Sequence, residues 1–542
     1  MHDGADGEVC RPREGIEVSH SKLCGTILEA AAFLRRKKTF PNGVLRLILA
    51  PDPERQESSP SMAKEKKQKV IRVKPQVLKG FRDYPPQEQI AREKMIAKVR
   101  EVFEVMGFLP LQTASIERAD ILLGPHYNDD SLKELFGFTG PDDVEMALRY
   151  EFTLSLARYV ASQPNLPLPF RRYQYGNVWR VDKPGPGRFR EFMQFDIDIV
   201  GTKNLLADAE IIAAMVGTME HLGIDRFKVR YSNRKILNGL VKWAGIAPER
   251  GPDVMRVLDK FEKQGRDAVL QELDKGRIDD SGAKIPGLKL PKDQIACIQQ
   301  FLDEALLSKA EPIAWVGDTL SGIAEAEEGV RELQGIQSHL DDMGVSKGKS
   351  EVDLTIVRGL GYYTGPVFET TLLDNPDYGS VFSGGRYDNL VDRFQGQSVP
   401  ATGSSIGIDR LLAALIALKA LPMTSATSKV LVTVMDREHL PDYLAILKEL
   451  RAAGIPSEIY AGDTKNLTKQ VKYGDKVGIP IAVIAGSNEF EAGQVTVKNL
   501  AAGTSQAKQT EGREEWLKAE GFQETIPRGQ LLEYIRKLLQ NS

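Results

Sequence analysis

One stretch, FRRYQYGNVWRVDKPGPGRFREFMQFDIDIVG from Phe170 to Gly201, limits what this chain can fold into more than any other. Two strand-like runs flank a turn over Val181–Gly187, where Pro184, Gly185, Pro186 and Gly187 exclude helix and favour a hairpin loop longer than two residues. After the turn the residues alternate. Phe189, Met193, Phe195, Ile197 and Ile199 fall on one face, and Arg188, Arg190, Gln194, Asp196 and Asp198 on the other, with Glu191 and Phe192 as breaks. Such a strand belongs half-buried in an antiparallel sheet.

A solvated outer face would explain Thr, Lys and Glu in mixed order, but here the charges are graded. Two guanidinium groups stand near the loop, two carboxylates and an amide further along, and Arg180 adds a third guanidinium from the partner strand. That grading suits a ligand with phosphate at one end and an ammonium group at the other.

The rest of the chain supplies the frame. At 542 residues it calls for two or more domains, and its net charge of −3 argues against nonspecific coating of nucleic acid while leaving room for a local basic surface. Cys10, Cys24 and Cys297 are spaced for neither a zinc site nor a disulfide framework, which predicts a reducing, cytoplasmic setting; six scattered histidines predict no structural metal. Residues 1–61 lack sustained periodicity, and the apolar run Gly43–Ala50 is too short to span a bilayer, so no membrane association is expected. As a hypothesis, Met62 is the natural start, and a native mass spectrum beginning at residue 1 would remove it. The Lys64–Lys74 run reads as a solvated tail or an RNA contact.

From Gly80 onward, Ile90, Met95, Ile96, Val99, Val102, Phe103 and Met106 recur at helical spacing and Gly107 suits the helix end. LRYEFTLSLARY (148–159) places Arg149, Glu151, Thr153 and Arg158 in an apolar setting, as surface ion pairs or as ligand groups. A helix is expected near 203–223 and a strand at KVRYSN. The segment 233–350 reads as helix-rich, with SGAKIPGLKLPKD as a loop. In RGLGYYTGPVFET the glycines permit close backbone approach, and Tyr362 and Tyr363 are either core aromatics or a pocket wall. SGGRYDNLV reads as another close-approach segment, and GSSIGIDRLLAALIAL passes from a Gly-rich strand into an apolar helix. Beyond the linker at Leu421–Ser428, strands and helices alternate as in an α/β domain with a mainly parallel sheet.

These stretches, in this order, resemble the class II aminoacyl-tRNA synthetases, and in detail the histidyl-tRNA synthetase family, from about Lys79 to the end of the chain. GRFREFMQFD resembles motif 2, GSSIGIDRL motif 3, and RGLGYYTGPVFE a stretch specific to histidyl enzymes and close paralogues. The resemblance implies an α+β catalytic domain with a mainly antiparallel sheet flanked by helices at 62–232 and 351–421. A helical insertion domain would occupy 233–350, a C-terminal α/β anticodon-binding domain 428–542, and a disordered or non-native extension 1–61. It implies a ligase that activates L-histidine with ATP, aided by Mg²⁺, and charges tRNA(His), as a cytoplasmic homodimer. Arg358 and Arg180 would be catalytic at the α-phosphate; Glu151, Thr153, Gln194, Asp198, Tyr362 and Tyr363 would bind histidine; Arg180, Asp182, Arg188 and Arg410 would bind ATP. No metal ligand is implied.

The chain also departs from the family pattern. Ala114 stands for the usual Pro of motif 1, Asp182 and Asp198 stand for Glu, Gly361 replaces an acid, and Phe152 replaces a smaller residue and is expected to narrow the pocket. Two other classes compete: a noncatalytic histidine-sensing regulatory paralogue, which tends to lose the catalytic arginine or the C-terminal domain, and a tRNA-binding sensor attached to a signalling output. No output domain is legible here.

Overall fold

A computed structural model of the chain describes residues 73–124, 133–185, 187–279, 282–307, 311–345, 348–357, 362–421, 423–500 and 523–540. In chain order the first part contributes β1 (Leu109–Pro110), β2 (Ile116–Arg118), β3 (Gly137–Thr139), β4 (Glu145–Leu148), β5 (Phe170–Trp179), β6 (Glu191–Val200), β7 (Phe227–Asn233), β8 (Gly276–Ile278), β9 (Lys284–Pro286), β10 (Ser350–Val352), β11 (Pro366–Leu372), β12 (Ser380–Tyr387) and β13 (Ala401–Gly407). Eight of these form one sheet in the order β1-β5-β6-β13-β12-β11-β7-β10. It is antiparallel throughout its centre and parallel only at the two ends, β1 on β5 and β10 on β7.

The hairpin expected around the Pro/Gly turn is the centre of this sheet. β5 and β6 pair without a slip from Phe170↔Val200 to Trp179↔Glu191. Register is firm because a one-residue shift would turn every apolar side chain of β6 toward the opposite face. Phe195, Ile197 and Ile199 enter the core with Tyr173 of β5, and Phe103 meets the Phe195 ring edge-on at 5.1 Å. The helix Pro86–Val105 presents Phe103 there, and so provides the amphipathic face read from the sequence; it ends before Gly107, which takes a φ of 80°. Leu205–His221 is the second covering helix, capped by Asn204, whose side chain accepts the Leu206 N–H at 3.0 Å.

Helices Arg234–Trp243 and Ala324–Asp342 pack on each other, and their Ile236, Leu240, Leu333 and Ile336 join the same core as Phe227 and Val229 of β7. The run read as a loop, SGAKIPGLKLPKD, instead contains β9, which pairs antiparallel with β8. Backbone pairing there overrides a Gly/Pro-rich composition, because each residue of the short ladder still finds a partner.

The C-terminal part has a separate core around Val430, Val432, Ile446, Leu450, Ile481 and Val483. Its strands are β14 (Val430–Val432), β15 (Ser457–Ile459), β16 (Ile481–Ile484), β17 (Gln494–Asn499) and β18 (Gln523–Pro527), in the order β15-β14-β16-β17-β18. The first three are parallel and the last two antiparallel, so the sheet is mixed rather than mainly parallel. In QVTVKN, Val495, Thr496 and Val497 are all buried and only Gln494 is exposed, so β17 is covered on both faces. No helix among the described residues is long and apolar enough to cross a membrane.

Candidate active site

The face of the central sheet opposite the helices carries a cleft of about 360 Å³. Cross-strand register decides what lies on its floor. One row runs Arg172, Asp198, Gly403, Gly385 and Val367 across five strands; the next runs Gln174, Asp196, Ser405, Ser383 and Glu369. Two glycines in the first row make room. A Cβ at Gly403 would overlap the Asp198 carboxylate, and one at Gly385 would stand 2.9 Å from the Tyr363 ring.

Carboxylates gather at this end. Asp198 is ion-paired with Arg172 at 2.6 Å, both groups buried, and the Tyr387 hydroxyl donates to its other oxygen. Asp196 accepts from Ser405, and Glu151, two residues before the helix Thr153–Ala161, accepts from the Tyr362 hydroxyl at 3.0 Å. Burial pushes the Glu151 carboxyl up to about 7 against the opposing charge of Arg180, and burial pushes Asp196 to about 7 despite Arg172. Asp198 is raised by the same cause. Tyr362 and Tyr363 meet edge to face at 5.0 Å, and Thr153 bonds the Tyr362 hydroxyl. Two buried acceptors, Glu151 Oε1 and Gln194 Oε1, have no hydrogen-bond partner among the described residues. That leaves an acceptor pair suited to an N–H-rich cation.

Guanidinium groups gather at the other end. Arg180, Arg188 and Arg410 line the cleft with Asp182, Phe189 and Phe192. Arg180 is tethered by its Nε donating to the Tyr150 carbonyl at 3.0 Å, and it lies over the Phe192 ring at 5.2 Å. Arg410, in the first turn of the helix Ile408–Ala417, donates to the Ser380 carbonyl at 2.7 Å.

Ten of the residues singled out in the sequence therefore share one cleft: Glu151, Thr153, Arg180, Asp182, Arg188, Gln194, Asp198, Tyr362, Tyr363 and Arg410. Arg358 and Gly361 lie outside the described residues. Several expectations change. Phe152 does not narrow the cleft: it is buried beneath it, with the Arg149 guanidinium 4.6 Å from its ring. Arg149 itself binds the backbone carbonyls of Thr113, Ala114 and Asn177 at 2.9–3.2 Å, and Arg158 pairs with Glu117 at 2.8 Å. Arg190 is absent from the lining because β6 starts only at Glu191, so strict alternation does not extend back through the loop. For the same reason Phe189 faces the ligand side, whereas Phe192 does so because it keeps the parity of Gln194, Asp196 and Asp198 on β6.

Arg172 is a functional residue outside the sequence expectations, although FRRYQYG alternates too and puts Arg172 and Gln174 on the polar face. The Tyr387 contact with Asp198 had no local signal. Arg386 beside it points the other way, donating to Asp208 at 3.2 Å in a buried pair.

Comparison with known proteins decides the family. A family model described as histidyl-tRNA synthetase matches residues 80–411. The chain belongs to the histidyl-tRNA synthetase family. A second model, the anticodon binding domain, matches residues 429–538, which is the part with its own core and mixed sheet. The curated histidine–tRNA ligase of Paracoccus denitrificans (strain Pd 1222) is 43% identical over 499 residues, spanning 88% of this chain and 100% of that protein. The ligase of Brucella abortus (strain S19) is 40% identical over 489 residues, spanning 87% and 97%. Among solved structures, histidyl-tRNA synthetase from Nostoc sp. PCC 7120 is 29% identical with a TM-score of 0.70, covering 86% of this chain and all of that one. An ATP phosphoribosyltransferase regulatory subunit/histidyl-tRNA synthetase from Bacillus halodurans C shares the fold, at 22% identity and a TM-score of 0.59 over 75% of this chain and 97% of its own. In this histidyl-tRNA synthetase family member, the cleft lies wholly within the residues that the first model matches.

Proposed function

We propose that the chain is a histidine–tRNA ligase that runs both half-reactions in this cleft: L-histidine and ATP give histidyl-adenylate and pyrophosphate, and the terminal adenosine of tRNA(His) then accepts the histidyl group. The observation that carries this reading is the single cleft with buried carboxylates at one end and three guanidinium groups at the other. Glu151, Thr153, Gln194 and Asp198 hold the ammonium group, and Tyr362 and Tyr363 shape the imidazole end. Arg180 and Arg358 face the α-phosphate, where charge builds as the histidine carboxylate attacks; Arg188 and Arg410 face the outer phosphates, and Asp182 the adenine side. No covalent nucleophile is needed, because holding both substrates in line supplies much of the rate.

Mg²⁺ bound to the nucleotide would add positive charge at the phosphates. The carboxylates in the cleft lining, Asp182 and Glu369 among them, are hard oxygen donors of the kind that such an ion takes. We assign the catalytic part to 62–232 and 351–421 with 233–350 inserted, and infer a cytoplasmic homodimer. The family relatives and the presence of both the cleft arginines and the anticodon-binding part favour the ligase over a regulatory paralogue.

The deciding experiment is histidine-dependent exchange of labelled pyrophosphate into ATP, with the other amino acids as controls. Exchange with histidine alone, abolished in Arg358→Ala while tRNA binding persists, is the expected result. Histidine binding without exchange would sink the ligase reading.

A pH effect follows from the cleft. Glu151 and Asp196 are raised to about 7 in the folded protein from ordinary values of 4.5 and 3.8, so the folded state binds protons that the unfolded chain has released. Between about pH 4 and pH 7 these groups make the ligand-free protein less stable as pH rises. Thermal unfolding should therefore show a melting temperature that falls over this window, and saturating L-histidine, whose ammonium needs ionised acids, should add more stability at pH 7.5 than at pH 5.5. An equal gain at both would contradict the assignment.

A further inference from the structure

Strand β13 pairs with β6 only as far as Gly407↔Gln194. Beyond that point the chain turns into the helix Ile408–Ala417, and the Met193 N–H has lost its strand neighbour on that side. Asp409 fills the gap: its Oδ2 accepts the Met193 N–H at 2.7 Å. The same carboxylate receives Arg92 of the helix Pro86–Val105, with Nε 2.8 Å from Oδ1 and Nη2 3.1 Å from Oδ2. The Arg92 and Arg82 guanidinium groups lie over the Tyr84 ring at 4.4 and 4.2 Å. Asp409 is 3% exposed and Arg92 7%.

A buried ion pair by itself is weak evidence of a stabilising role, since an apolar pair of similar size often serves the core as well or better. This pair does something an apolar pair cannot. It caps the open end of the central ladder, and its neighbours are cleft residues on both sides: Arg410 follows Asp409 directly, and Phe192 and Gln194 flank Met193. One carboxylate thus sets the position of an outer-phosphate arginine relative to the strand floor.

We propose that Asp409, fixed by Arg92, is a positioning residue for the ATP end of the cleft and ties the helix Pro86–Val105 to Arg410 and β6. The inference rests on the ligase reading above and deepens it. Asp409 touches no substrate; it acts through Arg410 and the Met193 backbone. Small displacements of charged groups at a phosphate site have large effects on binding and rate.

The test is equilibrium binding of ATP and of L-histidine, each titrated by calorimetry into the full chain. Arg92→Met and Asp409→Asn should each weaken ATP about tenfold while histidine stays within about twofold, with Arg92→Lys in between. Because either single change strands a buried charge or dipole, the double variant Arg92→Met/Asp409→Leu is decisive. It should regain the wild-type melting temperature yet still bind ATP weakly, since the Met193 acceptor is gone. Wild-type ATP affinity in that double variant, or equal weakening of both ligands in the single ones, overturns the proposal. A wild-type chain that binds neither ligand overturns the ligase reading and this inference with it, whereas normal wild-type binding with unaffected variants overturns this inference alone.

Discussion

Arg180→Ala is expected to slow histidine-dependent pyrophosphate exchange by about 10²-fold or more, the usual cost of removing one fixed donor from a site where negative charge develops. The guanidinium is preorganised rather than mobile: the Tyr150 carbonyl takes its Nε at 3.0 Å and the Phe192 ring lies 5.2 Å away. Arg180→Lys should recover little, because an ammonium is a point charge and cannot hold the carbonyl and the phosphate in one planar fork. A second consequence separates this loss from simple misfolding. Arg180 is the largest opposing influence on the burial-raised Glu151, so its removal should lift that carboxyl further and weaken histidine binding at pH 7. Raising the pH should restore part of the histidine affinity but not the exchange rate. Exchange near the wild-type rate would remove Arg180 from the chemistry.

The largest stability effect is expected at the other end. Asp198→Ala leaves Arg172, 0% exposed, without its counter-ion, a loss of about 3–5 kcal/mol by the measure of other broken buried pairs. It also strips the Tyr387 hydroxyl of its acceptor. Asp198→Asn, which keeps the shape, should cost less. Replacing both partners, as in Arg172→Met/Asp198→Leu, should recover most of the stability in denaturant unfolding while leaving histidine-dependent exchange absent. If the double variant recovers exchange as well, Asp198 is a packing residue and not a ligand.

What was legible follows from how far each signal reaches. The β5/β6 hairpin is local: period-two alternation on either side of a Pro/Gly turn sets strand, register and buried face at once, and the structure pairs those residues without a slip. The failures sit where alternation stops or where a distant strand intervenes. Arg190 and Phe189 were placed by extending the alternation through a loop that has none. Phe152 stands between the cleft residues Glu151 and Thr153 in sequence, yet its ring is buried against Arg149. In the C-terminal sheet, strand–helix alternation predicts parallel strands, but β17 and β18 add to it antiparallel.

The sequence by itself determined the hairpin, the graded charges on its outer face, the covering helices and the order of the motifs, because each of these is written in residues close together along the chain. Only the tertiary structure decided which carboxylate meets which cation. Arg172 faces Asp198 through β5/β6 register, Tyr387 reaches the same carboxylate because β12 lies one strand beyond β13, and Arg92 finds Asp409 across 317 residues of chain. Such pairings follow from strand order and close packing, which neighbouring residues do not encode, and they fix the charge balance on which the cleft's chemistry depends.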